Sequence, residues 1–201
     1  MHHKAAENIK DRIAEEAIGL FVRKSFKGTS IQDITDAVHV TKGAFYWHFK
    51  SKDALLDAII DEYERVVVDR VIVELRQSHG NFIEKYRQFH KITTEFAYKH
   101  RDFCVGFMTL AAELTGSGAS HEQKIIAIYT KLLHFLKSLI EQGKSEGTVG
   151  KDVDSEMTAH FVNAIQNGML LEWYMFHKTI DGASLAKAYR QITVQGITGG
   201  V

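Results

Sequence analysis

Lys42 is the residue from which chemistry is most directly read. It follows Thr41, whose hydroxyl can cap a helix start, and it precedes Gly43-Ala44-Phe45-Tyr46-Trp47-His48-Phe49. An ammonium in the first turn of such a helix can reach the O6/N7 edge of guanine or a phosphate. Gly43 has no side chain, so the helix start can approach a duplex closely, and Ala44 can meet a thymine methyl. Tyr46, Trp47 and His48 carry donors suited to phosphate oxygens. Phe45 and Phe49, four residues apart, belong to a core-facing side. His48 can equally serve as a hydrogen bonder between helices.

A second short helix must come just before. Ser30 can cap it, with Asp33 three residues on to complete a capping box. Ile31, Ile34 and Val38 then recur at helical spacing and define its buried face. Gln32 lies in its first turn and can reach a base edge, most naturally adenine. Thr29 and Ser30 can bond phosphate through hydroxyl and backbone N–H groups. Lys52 opens the helix after the pair, adding a cation to a helix start already favourable to phosphate. Two short helices joined by a tight turn, the second presenting a lysine and rings, have the layout of a helix-turn-helix DNA reader.

The order of residues is more specific than the layout. The run Thr41-Lys42-Gly43-Ala44-Phe45-Tyr46-Trp47-His48-Phe49-Lys50-Ser51-Lys52-Asp53-Ala54-Leu55-Leu56 resembles the signature of the TetR family of bacterial regulators. That signature is T/S-K-G-x-L/F-Y-x-H-F followed by K-S/T-K-x-x-L, and the likeness covers residues 9–60. His39 stands where that turn commonly carries glycine. Histidine tolerates a positive φ better than most residues, so the turn should survive. The resemblance implies DNA contacts at the matching positions Thr29, Ser30, Gln32, Thr41, Lys42, Gly43, Ala44, Tyr46, Trp47, His48 and Lys52. It implies an all-α fold: an N-terminal three-helix helix-turn-helix domain over residues 1–50, joined by a long helix to a helical ligand-binding and dimerisation domain over residues 51–201. The implied partners are a palindromic double-stranded DNA operator, a small apolar or amphipathic effector, and a second copy of the chain.

Composition agrees with that frame. The 201 residues are 45% hydrophobic, contain no proline, and carry equal numbers of Lys+Arg and Asp+Glu. No global field therefore draws the chain to nucleic acid. Residues 1–52 nevertheless hold nine Lys/Arg against six Asp/Glu, a balance of +3, which leaves −3 for the rest. The absence of proline favours long helices. The single cysteine, Cys104, excludes an internal disulfide; its apolar neighbours predict a buried, inert thiol. No secretory signal and no apolar run long enough to span a bilayer is found, so a cytoplasmic protein is expected.

Helical periodicity predicts about nine helices. The first spans about Ala5–Phe26, with Ile9, Ile13, Ala17 and Phe21 inward and Gly28 as its stop. The fourth, capped by Ser51, runs unbroken over about Lys52–Ser78. The fifth covers about Phe82–His100, the sixth Asp102–Leu114, the seventh Ser120–Glu146, the eighth about Ser155–Lys178 and the ninth Ser184–Gly196. Rings and polar anchors on these helices suggest an effector pocket lined by Phe89, Thr93, Phe96, Phe107, Met108, Tyr129, Leu133, His134, Asn163, Asn167 and Trp173. Each of these residue types also occurs in ordinary cores. Leu185, Ala188, Tyr189 and Ile192 give the ninth helix an apolar stripe for pairing helices eight and nine with a second subunit. No catalytic constellation, metal-ligand spacing or cofactor motif is present. The alternatives left by the sequence are an all-helical small-molecule-binding protein and a DNA-binding activator without ligand control.

Overall fold

The computed structural model describes residues 2–198, with side chains from residue 9 onward. All regular structure among them is helical. In chain order the helices are α1 (His2–Gly28), α2 (Ile31–Val38) and α3 (Lys42–His48), then α4 from Lys52 to Gln77. They continue with α5 (Phe82–Lys99), α6 (Arg101–Leu114), α7 (Ser120–Ser145), α8 (Ser155–Phe176) and α9 (Gly182–Thr198). Their starts are set by side chains that satisfy otherwise orphaned N–H groups. Ser51 Oγ accepts from Ala54 N at 3.0 Å, Asn81 and Glu84 form a capping box on α5, and Asp154 caps α8 through Glu156 N and Met157 N.

The chain forms two compact units, one of residues up to Tyr63 with Asp102–Ile125, the other of Glu64–Arg101 with residues from Ile126 on. In the first, Ile13, Ala17 and Phe21 of α1 pack with Ile34, Phe45, Leu55, Leu56 and Ile60, all at 0% exposure. Gly106 of α6 lies so close to α1 that a Cβ there would run into the Ile18 side chain. Tyr63 stacks on Phe107 with ring centroids 3.5 Å apart. Cys104 is buried here, and burial pushes its thiol up to about 12, so it remains a thiol and chemically inert.

The first helix is not the uninterrupted rod expected from its periodicity. Ser25 has φ 65° and ψ 163°, a conformation that L residues rarely adopt. The break is held from three sides. Glu113 of α6 accepts from Phe26 N at 2.7 Å and Lys27 N at 3.1 Å, Gly28 N donates to Ser25 Oγ, and Thr29 Oγ1 donates to Ser25 O at 2.7 Å.

The second unit is built on Phe82, Tyr86 and Phe89 of α5, each at 1% exposure. Gly143 of α7 admits Phe82: a Cβ there would lie 2.7 Å from its Cγ. Glu146 accepts from Phe82 N at 2.7 Å. α9 packs on α8 and α5, and Tyr189 OH donates to Val162 O at 3.3 Å. The fourth helix also departs from expectation. It is α-helical over Lys52–Tyr63 and Arg70–Gln77, but π-helical over Glu64–Asp69. Glu64 and Asp69 are five residues apart, the spacing of a π-helical hydrogen bond. Lys131 of α7 binds both, at 2.7 Å from Glu64 Oε1 and in a second ion pair with Asp69. Among the described residues no helix is long and apolar enough to cross a membrane.

Candidate nucleic-acid interface

The site is built from two caps and a left-handed turn. Ser30 Oγ accepts from Asp33 N at 3.1 Å, and Asp33 Oδ2 accepts from Ser30 N at 2.8 Å and from the Ser30 hydroxyl at 2.5 Å. Lys24, 2.7 Å from Asp33 Oδ1, and the Ser30 bonds hold the Asp33 carboxyl well below the usual carboxylate range. α2 ends at His39 with φ 58° and ψ 47°, where the His39 N–H donates back into the last turn. Arg12 of α1 donates to Val38 O at 3.0 Å. After the turn, Thr41 Oγ1 accepts from Ala44 N at 3.2 Å and starts α3.

α3 is then fixed by its inner side. Phe45 is fully buried and Phe49 is 4% exposed, with ring centroids 5.8 Å apart. Thr41, Lys42, Gly43, Tyr46 and Trp47 are left exposed, Trp47 at 82%. Tyr46, at 53%, and Trp47 thus project from the side of α3 opposite the two buried phenylalanines. Lys42 makes no hydrogen bond or ion pair to a described residue, so its charge is available. Ala44 and His48 are half-buried, His48 beside the Phe49 ring. On α2, Ser30 and Gln32 are exposed, and the Gln32 amide is held by Asp36 Oδ1 at 2.6 Å. Lys50, which the sequence reading passed over, is also exposed and unpaired. Its place directly after the α3 C-cap was the signal that could have found it.

Two expected phosphate contacts are placed otherwise. Thr29 is 1% exposed and its hydroxyl donates to Ser25 O, so it has no proton for a phosphate. Lys52 Nζ donates to Phe26 O and Thr29 O, each at 2.7 Å, and lies 4.4 Å from the Phe26 ring centroid. Phe26 O also accepts from Thr29 N at 3.3 Å, so the lysine adds a second donor there and ties the end of α1 to the start of α4.

The residues expected to line an effector pocket divide between the units. Phe107 and Met108 belong to the first, where Phe107 is core. The rest belong to the second. Phe89 is buried among the rings of Tyr86 and His90, and Thr93 Oγ1 donates to its carbonyl at 2.9 Å. Trp173 is half-buried, stacked on Tyr98 with centroids 5.7 Å apart. Phe96, Tyr129, Leu133, Asn163 and Asn167 are half-buried. Phe96 lines a cavity of about 330 Å³ that is otherwise mostly polar and charged. His134 is exposed on the outside of α7, a correction to its expected place in a pocket. The sequence reading missed a buried polar cluster. Tyr86 OH, both ring nitrogens of His90 and Gln166 Oε1 are buried and make no hydrogen bond within 3.5 Å, with Tyr86 facing Tyr189 and Thr193 and His90 facing Gln166.

A capped α2, a left-handed turn and an exposed α3 with an uncommitted lysine define a helix-turn-helix DNA-binding protein. The pattern of bacterial regulatory proteins of the tetR family matches residues 13–59. The likeness in fold runs over nearly the whole chain. The MbdR regulator from Azoarcus sp. CIB shares it with a TM-score of 0.85 and 26% identity, over 94% of this chain and 98% of that one. The ketosteroid transcriptional regulator KstR2 of Mycobacterium tuberculosis shares it with a TM-score of 0.82 and 20% identity, over 94% of each. The transcriptional repressor DhaR of Mycobacterium sp. (strain GP1) is 21% identical over 81% of each chain. Over residues 13–59 the chain thus resembles the DNA-binding domain of bacterial regulatory proteins of the tetR family, and these relatives and fold neighbours are transcriptional regulators.

Proposed function

We propose that the chain is a homodimeric repressor that binds a palindromic operator and is released by an apolar or amphipathic effector. Residues 1–50 read DNA and residues 51–201 bind the effector and dimerise. The observation that carries this reading is the outer side of α3, where Lys42, Tyr46 and Trp47 stand exposed on a helix held by Phe45 and Phe49. A dimer is supported by apolar side chains left open on α8 and α9: Met157, Phe161, Leu171 and Met175, and Ile192. A two-fold protein matches a two-fold operator. The effector would lie between α5 and α8, where half-buried Asn163 and Asn167 offer polar anchors. KstR2, with the same fold, is a ketosteroid regulator, in keeping with a compound of that chemistry. The protein works where its operator lies, in the bacterial cytoplasm.

The test begins with duplexes selected from a random pool. Log affinity is expected to fall linearly with log salt. Lys42→Ala should cost about 1–3 kcal/mol and relax preference at one base pair. Lys52→Ala should leave the salt slope unchanged and lower stability by about 1–3 kcal/mol, since its charge is committed to two carbonyls. A Lys42→Ala protein that binds like the parent would remove α3 as the reader.

Effector control makes a separate expectation. A compound found by thermal-shift screening should bind more weakly once operator is present, by the same factor with which it weakens operator binding. Equal affinity in both titrations would mean no coupling. α4 is the covalent path for such coupling, since it carries the chain from the first unit into the second at Tyr63–Glu64.

A further inference from the structure

Between α5 and α9 runs a groove of about 540 Å³ whose character differs from that of the proposed effector site. Arg87 and Lys91 enter it from α5, Lys187 and Arg190 from α9, with Gln88 and Gln191 beside them. No carboxylate lines it among the described residues, and none of the four cations is ion-paired with a described residue. Residues 53–201 as a whole carry net negative charge, so four uncompensated cations in one concavity are not a sample of the average surface. Like charges brought together on a folded surface repel, and the arrangement is stabilised when an anion enters.

From this we infer that the α5–α9 groove is a second ligand site, one that takes a small molecule carrying a phosphoanhydride. Four positive charges exceed what a single phosphate neutralises, whereas two or more linked phosphates carry more charge and present oxygens for forked guanidinium bonds and point contacts from lysine. The glutamine amides add donors and acceptors for a polar remainder. The volume lies in the range of small-molecule sites, and the lining is too polar for an apolar effector. The helical wheel of α9 keeps the groove open in a dimer. Leu185, Ala188 and Ile192 occupy one side, Tyr189, Thr193 and Ile197 turn into the core, and Lys187, Arg190 and Gln191 occupy a third.

The same helix pair supplies a second observation. Tyr86 and His90 directly precede Arg87 and Lys91 on α5, and Tyr189 directly precedes Arg190 on α9. Tyr86 and His90 are almost wholly buried, and Tyr86 OH and both His90 nitrogens make no hydrogen bond within 3.5 Å. The two helices are therefore packed around a buried polar cluster, in which Tyr86 faces Tyr189 and Thr193 and His90 faces Gln166, behind a row of unpaired cations. His90 itself adds no positive charge, because burial and then the charge of Arg190 depress its pKa to about 3. The four outer cations are what an anion would bind.

Calorimetric titration of the full chain without DNA tests this, in about 0.15 M salt, with inorganic pyrophosphate, ATP, inorganic phosphate and sulfate as probes. Pyrophosphate and ATP are expected to bind saturably with one site per chain, and phosphate and sulfate about tenfold more weakly or worse. Lys91→Gln with Arg190→Gln should weaken pyrophosphate about tenfold or more. Arg87→Gln with Lys187→Gln should do the same, so one poorly folding variant does not decide the matter, and Lys178→Gln should change nothing. ATP tighter than pyrophosphate would identify a nucleotide, and equal binding would identify the phosphoanhydride alone as the recognised part. No saturation in the millimolar range, four anions bound alike, or unchanged binding in both variants would overturn the site. Variants that lose random-sequence duplex DNA but keep pyrophosphate binding would overturn it in favour of a nucleic-acid surface. Operator recognition is measured separately and can fail or succeed without affecting this result.

Discussion

Phe161→Glu combined with Ile192→Glu is expected to give a folded monomer whose operator affinity is on the order of a hundredfold lower, or worse. Phe161 is 54% exposed and Ile192 69% exposed in the isolated chain, so neither change removes a buried packing contact, and the fold should lose little stability. In the dimer the same two positions would be desolvated twice over, once for each copy. Four carboxylates there would be left without counter-charge, and an unpaired buried charge is strongly unfavourable. The effect on DNA follows from linkage of half-sites. Two reading helices on one body make the second contact intramolecular, and that advantage is of order 10²–10⁴. Sedimentation at micromolar concentration and fluorescence anisotropy with a selected operator measure the two halves of the claim. A double variant that still sediments as a dimer and binds as the parent would move the dimer contact elsewhere. Leu185→Glu is a poorer choice, because Leu185 is half-buried within its own chain and its loss would confuse unfolding with dissociation.

The helix-turn-helix was legible because everything that shapes it is local. Ser30, Asp33 and Thr41 cap within three residues of themselves, His39 adopts the left-handed turn within its own tripeptide, and Phe45 and Phe49 reveal an inner side by spacing alone. What sequence could not show arises from residues far apart. The break at Ser25 depends on Glu113, 88 positions away. Beyond the break, the carbonyls of Phe26 and Thr29 at the end of α1 take up Lys52, and the Thr29 hydroxyl turns inward onto Ser25 O. A lysine at a helix start reads as a phosphate contact until those carbonyls are known. The π-helical turn in α4 is similar, because Lys131 lies more than 60 residues from the two acids it joins. A periodic pattern also says which residues share a side but not what covers it. Tyr189 was grouped with Ile192 as a dimer stripe, yet it is 7% exposed in the core and Ile192 is open. The same ambiguity limits the effector pocket, whose residues are spread over both compact units.

The second large effect is acid sensitivity that originates at His90. The side chain is enclosed edge-on by the rings of Tyr86, Phe89 and Tyr189, with centroids 4.5, 5.2 and 4.7 Å away. Burial and then the Arg190 charge hold its pKa at about 3, against an ordinary 6.5, while Gln166 pulls weakly the other way. In the unfolded chain the imidazole takes up a proton as pH falls through about 6.5. In the folded chain it does not until about 3. Between those values the unfolded state binds more protons, so stability is greatest above 6.5 and declines steadily on acidification. Each pH unit in that window is worth about 1.4 kcal/mol. Between pH 7.5 and 4.5 the loss from this one group should be roughly 3 kcal/mol. Asp33, Glu122 and Glu146 have lowered pKa values and add losses of the same sign, but nearer and below their own unfolded values. His90→Leu separates the contributions, because it abolishes the titration at that position. Reversible urea unfolding at both pH values gives the comparison. The parent should lose about 3 kcal/mol more than the variant. Parallel losses would show that the imidazole accepts its proton inside the fold, and therefore that water or a bound group reaches the cluster between α5 and α9.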